Sequence, residues 1–325
     1  VAPIDCGFLD GYLLFITRAG QMHFTGIDNA SDLSALNYIT AEGNPDGLWR
    51  MIVRKREAWL FGDRTTEIWS ATGDVDKPFE RLSVGFLEQG IGAPRSLEHH
   101  SLGVTWIDDD FIVRHVSDGY SPARLSDHDV ERAIERDPNR SKISSFSFVR
   151  EGHAFYGLNG TGWTWVHDFA GGTWTEWSSE PGGRWRVEQT CTFNGKVLAG
   201  DATLPRLYEV SPQAFTDDDL PVMRTVRMPQ VVSDNTALSF FNVRVAMSVG
   251  VGSVAPGARP EDAEPQIRLR WSDDGGHRWS PYRYRPLGGH GKTRSVVRFS
   301  DLGTSGSAGR ILELSWASSV DTSLT

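Results

Sequence analysis

Apolar residues alternate in facing through Arg56–Trp69, REAWLFGDRTTEIW: Trp59 and Phe61 point one way from an extended run, Ala58 and Leu60 the other. A polar turn, GDRTT, leads to a second run centred on Ile68 and Trp69. Two short apolar segments about a turn of Gly, Asp and Thr predict a β-hairpin. Aromatic and β-branched residues suit it because their bulk packs on a pleated, half-buried surface. Both Trp59 and Trp69 are therefore expected to be largely buried. The pattern returns as Tyr12–Ile16 with Met22–Phe24, Val104–Ile107 with Phe111–Val113, Ala154–Gly157 with Trp163–Val166, and Val197–Gly200 with Leu207–Val210. Anchored on Ile16, Gly62, Ile107, Gly157 and Gly200, the copies recur every 43–50 residues, near the period of four-stranded propeller blades. A single blade buries its faces only against its neighbours, so the copies need one another. The chain reads as all-β, with residues 1–212 as β-propeller blades. A two-sheet sandwich with evenly spaced hairpins is the alternative.

One helix interrupts the strands, over Asp127–Arg136. Ser126 with Asp129 resembles a capping box, Val130, Ala133 and Ile134 form an apolar stripe, and Pro138 ends it. A stripe this short suits a flap over a blade edge better than a partner-docking insert. Pro45, Asp46 and Gly47 predict a tight turn before a strand at Trp49–Val53. Past Pro212 the rhythm changes. Longer strands are predicted at Met223–Met228, Phe240–Val249, Ile267–Trp271, Arg294–Phe299 and Arg310–Trp316, with a long loop over Gly250–Pro265. Residues 213–325 thus read as a further C-terminal β region, either sandwich-like or made of blades that close the ring.

Composition narrows the function. Hydrophobic residues make up 39% of the 325, below the usual globular share. Twelve Trp and sixteen Phe compensate, since each buried aromatic removes roughly 150–250 Å² from water. A formal charge of −9 argues against a general nucleic-acid binder. Two cysteines, Cys6 and Cys191, have no spacing that demands a disulfide, and synthesis in a cytosol is the simpler expectation. No apolar run reaches transmembrane length, and the opening VAPIDCGFLDGY lacks the features of a signal peptide. Both termini read as edges of a fragment.

Candidate chemistry is sparse. Ser272–Trp279, SDDGGHRW, matches the Asp-box pattern through Ser272, Asp274, Gly276 and Trp279. Physically it is a hairpin turn in which the Asp accepts backbone N–H groups, Gly takes a left-handed conformation and Trp closes onto the sheet. Such boxes occur in sialidases, so a sialidase-like propeller that binds or hydrolyses glycans is the alternative function. The box is structural there, however, and lies away from the sugar. GGHGKT at Gly288–Thr293 imitates a phosphate loop but lacks its first Gly, where Pro286 stands, and opens no helix. The turns Asp108–Asp110 and Asp217–Asp219 lack the alternating spacing of a calcium loop and read as solvated. The histidines form no zinc pair, and His99 and His100 point to opposite faces of a strand. No serine-nucleophile elbow occurs. Asp168–Trp174, DFAGGTW, is a kelch-like turn, which would also permit a cellular interaction module. No catalytic, cofactor or metal residues are assigned.

The segments Ala41–Leu48, Ala58–Phe79, Gly90–Ser96, Gly119–Ser126, Glu151–Tyr156, Asn194–Asp201 and Leu269–Trp279, taken in order, resemble the packaged-DNA stabilisation proteins of short-tailed bacteriophages, their tail hub or nozzle subunits. The resemblance implies a structural, non-enzymatic protein of the virion, assembled in the cytoplasm of the bacterial host. It implies a sixfold ring of copies below the portal and its adaptor (head completion) protein, with a needle or tip protein beneath. Such a ring helps retain packaged DNA and forms the channel wall for its ejection, without gripping the transiting duplex. It also implies that this chain lacks the family's opening segment. No family motif carries catalysis, so no site residue is transferred and no cofactor is expected.

Overall fold

The computed structural model describes residues 2–34, 36–41, 43, 46–74, 76–179, 182–234, 236–248, 250–253, 260–292 and 296–318. Its contacts divide into two units, Val1–Val210 and Ser211–Thr325.

The first unit is a succession of five antiparallel sheets. The first holds β1 (Asp5–Leu9), β2 (Tyr12–Ile16), β3 (Gln21–Phe24) and β4 (Tyr38–Thr40). The second holds β5 (Leu48–Arg54), β6 (Glu57–Gly62), β7 (Thr66–Ala71) and β8 (Phe79–Leu87). The third holds β9 (Glu98–His100), β10 (Gly103–Ile107), β11 (Val113–Val116) and β12 (Ala123–Arg124). The fourth holds β13 (Ser144–Arg150), β14 (His153–Asn159), β15 (Thr164–Asp168) and β16 (Thr173–Glu176). The fifth has three strands, β17 (Val187–Phe193), β18 (Lys196–Asp201) and β19 (Leu207–Glu209). All five sequence anchors fall on the second strand of a sheet. Neighbouring sheets meet through their first strands, β1 beside β5, β9 beside β13 and β13 beside β17.

The alternation read in Arg56–Trp69 has its physical consequence here. Trp59 and Phe61 enter a cluster with Val104, Trp106 and Val116 of the third sheet. Ala58 and Leu60 join Leu14, Ile16 and Met22 of the first. A strand that faces a neighbour on both sides is buried on both sides. Trp69 departs from expectation: it is half-buried, because it packs at the margin of the first cluster rather than inside it. A third cluster joins Ile107 and Val113 to Tyr156 and Leu158, and a fourth joins Phe146, Phe148 and Val166 to Val197. Among the described residues no buried apolar cluster joins the fifth sheet to the first; their remaining faces leave Phe8 and Phe193 exposed.

Helix α1 (His128–Arg136) lays Val130 and Ile134 into the third cluster, so it packs between two sheets. Its cap is Asp127, whose carboxylate accepts from the Asp129 and Val130 amides, and not Ser126. The Ser126 hydroxyl is occupied with Glu131 and the Val113 amide. The turn predicted at Pro45 begins outside the described residues.

The second unit begins with the small hairpin β20 (Thr216–Asp217) and β21 (Leu220–Pro221). A four-stranded sheet follows in the order β22–β27–β24–β25. Its strands are β22 (Arg224–Arg227), β24 (Gln266–Ser272), β25 (Arg283–Pro286) and β27 (Ile311–Trp316). A two-stranded sheet pairs β23 (Asn242–Val245) with β26 (Val297–Ser300). Ile267, Leu269, Leu312 and Leu314 of the larger sheet share one core with Val297 and Phe299 of the smaller. Strand β25 escaped the sequence reading. The predicted long loop contains a short helix, α2 (Pro260–Ala263). Residues 254–259, Val249 and Arg294 lie outside the described residues.

Candidate functional site

Polar contacts bridge every consecutive pair of sheets in the first unit. Asp5 of β1 accepts from the Met51 amide at 2.9 Å and pairs with Arg50 of β5 at 3.1 Å. Arg54 of β5 donates to the Ser117 carbonyl beyond β11 at 3.3 Å. Ser145 and Ser147 of β13 donate to Glu98 of β9 at 3.3 and 3.2 Å. Burial pushes the Glu98 carboxyl above its ordinary range. Gln189 and Thr190 of β17 donate to the Ser145 and Ser147 carbonyls. Bonds of this kind fix the angle between blades, which apolar packing alone leaves loosely specified.

A cleft of about 290 Å³ opens beside Arg95, Lys142, Asn159, Thr161, Arg184 and Glu188. Its charges are mostly spent internally: Glu188 pairs with Arg95 at 2.6 Å and with Arg184 at 2.8 Å. Burial pushes the Glu188 carboxyl up, but hydrogen bonds from Arg184 and Ser144 outweigh it and hold the group below its usual range. The cleft contains no paired acid and base.

In the acidic turn Asp108–Asp110 only Asp110 is exposed as expected. Asp108 is buried, accepts from the Ile112 amide at 2.8 Å and pairs with Arg114 at 2.6 Å. Asp109 accepts from the Gly90 amide. Both act as turn and inter-blade braces. His99 and His100 do face opposite ways, and His100 joins a cluster the sequence did not reveal. The Thr105 hydroxyl lies 2.9 Å from both His100 Nε2 and His115 Nδ1. Phe169 sits 4.8 Å from the His100 ring and 4.8 Å from the His167 ring. Burial, with repulsion from His115, lowers the His100 pKa to about 4. Burial lowers His115 and His167 as well.

That cluster sets an acid limit. The unfolded chain takes up a proton on His100 near pH 6.5, whereas the folded chain waits until about 4. Stability is therefore fully present above about pH 6.5 and falls as pH drops towards the folded value. The loss from His100 is roughly 2–3 kcal/mol after allowing for its partial exposure. Urea unfolding between pH 7 and 5, where most carboxylates stay ionised, is expected to show a steeper decline than in His100→Asn.

In the second unit, Ser272 ends β24, and Asp274, Gly276 and Trp279 lie in the connection to β25. Asp274 accepts from the Arg278 amide and from the Ser272 hydroxyl, both at 2.8 Å. The Gly276 amide donates to Ser272 Oγ at 2.9 Å, and Gly276 has φ 95°. Trp279 Nε1 donates to the Gly276 carbonyl. These bonds hold the Asp274 carboxyl below its ordinary range, led by that from the Arg278 amide. The Trp279 ring stacks under Arg270 at 4.6 Å and Arg227 at 5.0 Å, and both arginines pair with buried Glu313. Glu313, and the pair of buried Arg310 with partly exposed Asp273 beside the turn, were not singled out in the sequence. Their partners lie 37 to 86 residues apart, so no local pattern announces them. Among the described residues no group of three or more His, Cys, Asp and Glu side chains is placed to hold a metal. No described helix is long and apolar enough to cross a membrane.

No curated protein matches the chain. Among solved structures it is similar to the β-propeller domain of Myceliophteria thermophila Cps50 (Swd1), at 8% identity and TM-score 0.34, over 64% of this chain and 71% of that one. It is also similar to an exo-β-1,3-galactanase from Phanerochaete chrysosporium, solved with galactose, at 9% identity and TM-score 0.35, over 98% and 94%. Likenesses this low carry no argument about activity. The family model is different in kind: it matches residues 1–214, which take in all five sheets of the first unit. Of the resembling segments, Leu269–Trp279 alone falls outside that match. The chain belongs to the family described as Bacteriophage P22 Gp10, beta-propeller, the packaged-DNA stabilisation proteins, which are structural proteins of the phage virion.

Proposed function

We propose that the chain is a tail hub or nozzle subunit and has no enzymatic role. Copies of it form a sixfold ring that docks below the portal–adaptor complex, above a needle or tip protein. The ring seals packaged DNA in the head and walls the channel through which it leaves. Assembly takes place in the cytoplasm of the bacterial host. The observation that carries this reading is the family match across the whole first unit. The physical character of that unit is consistent with it: braced sheets suit a part that must resist pressure and keep its shape. Native mass measurement of the chain mixed with a portal–adaptor complex tests the docking. Addition of six copies is the expected result, and no addition under conditions where the adaptor is intact would overturn it.

The same reading sets an expectation for DNA. Each phosphate a protein neutralises adds salt-dependent affinity, which would slow transit. The chain carries a formal −9, and the cleft beside Arg95, Lys142 and Arg184 has both arginines engaged by Glu188. Binding of double-stranded DNA at physiological salt is therefore expected to be negligible in a fluorescence titration. Micromolar affinity with a steep salt slope would mean that the protein grips the duplex.

A further inference from the structure

The sheet β22–β27–β24–β25 turns one face to the core of the second unit; its other face carries an unusual row. Cross-strand register sets Thr225 beside Ser315, Ser315 beside Arg268, and Arg268 beside Tyr284. A hollow of about 480 Å³ lies over this row, bounded by Met223, Glu264, Gln266, Arg268, Tyr284 and Ser315. That volume is in the range of small-molecule sites.

The chemistry of the lining is specific. Ser315 is 1% exposed, yet its hydroxyl has no hydrogen-bond partner. Arg268 Nε, on the same face, is unpartnered as well. Buried polar groups are nearly always satisfied, so two orphans side by side beneath one hollow point to a polar occupant. The Arg268 guanidinium is held 4.2 Å over the Tyr282 ring. Its Nη2 finds only the weak acceptor Met223 Sδ, at 3.4 Å. The Tyr284 ring stands 53% exposed at the rim. The lining itself holds one Arg and one Glu, and the nearby Lys292 is drawn to that Glu at 3.8 Å, so no cluster of cations marks the hollow for phosphate or another strong anion. An occupant that offers a flat C–H face to an aromatic ring, and hydroxyls that both donate and accept, satisfies all of these at once.

We propose that this hollow binds a neutral saccharide, with a sugar ring on Tyr284 and its hydroxyls read by Arg268, Ser315, Gln266 and Glu264. The site lies beyond residue 214, where the family match ends, and is independent of the hub assignment. Isothermal titration of the full chain with maltotriose, chitotriose and lactose, and with 3′-sialyllactose as the acidic arm, tests it. At least one neutral saccharide is expected to bind in the millimolar range, up to roughly 10 mM. Tyr284→Ala and Arg268→Met are each expected to weaken that binding by about tenfold or more, while Tyr284→Phe keeps it. Tyr284 is exposed, so circular dichroism should be unchanged in its variants. Absence of binding by all three neutral saccharides, binding by sialyllactose alone, or binding that survives Tyr284→Ala would each overturn the proposal.

Discussion

Replacing Trp59 by alanine is expected to cost the protein about 3–5 kcal/mol of stability. The indole is fully buried between the second and third sheets. It stacks near Phe61 at 6.4 Å and Tyr120 at 6.0 Å, lies under Arg54 at 5.3 Å, and donates to Glu57 at 3.0 Å. Removing it strips contacts from two blades at once and leaves a cavity that rigid sheets cannot close. Trp69→Ala is expected to cost less, because that ring is only partly buried at the margin of its cluster. Denaturant unfolding of both variants decides the matter. A loss below about 1 kcal/mol for Trp59→Ala would mean that the two sheets are not packed through this residue.

The second large effect belongs to the other unit. Arg310 is 1% exposed and paired with Asp273 at 2.6 and 2.8 Å; it also donates to the Leu302 carbonyl at 2.7 Å. Its guanidinium lies 4.6 Å from the Phe240 ring and 5.1 Å from the Trp271 ring. Asp273→Ala leaves that buried charge without its counter-ion, a loss of about 3–5 kcal/mol. The partial exposure of Asp273 lets some water reach the site, so the lower end is expected. Adding Arg310→Met to Asp273→Ala removes the stranded charge and is expected to recover part of the loss. A double variant no better than the single, or a single near wild type, would show that the pair bears little on this core.

These two positions mark how far the sequence could be read. Trp59 was legible because hydrophobic alternation is local: six residues of β6 declare which side each side chain takes. The repeat was legible for the same reason, since every anchor sits on a second strand, the one most enclosed by its own sheet. Outer strands such as β12 and β16 were harder, being short and largely exposed. Buried charges were illegible. Asp108 in a run of three aspartates reads as solvated until Arg114 folds over it, and Glu313 looks like any strand-borne acid until Arg227 and Arg270 arrive from distant strands. The His100–His115 cluster likewise exists only once β9 and β11 flank β10. The saccharide hollow depends on cross-strand register, which no sequence period encodes.

Electron cryo-imaging of the protein bound to a portal–adaptor complex tests the central claim most directly. The account expects a sixfold ring of density beneath the adaptor into which the five-sheet unit fits, with an open channel along the axis. An adaptor with no added density, or copies attached elsewhere without ring symmetry, would contradict it.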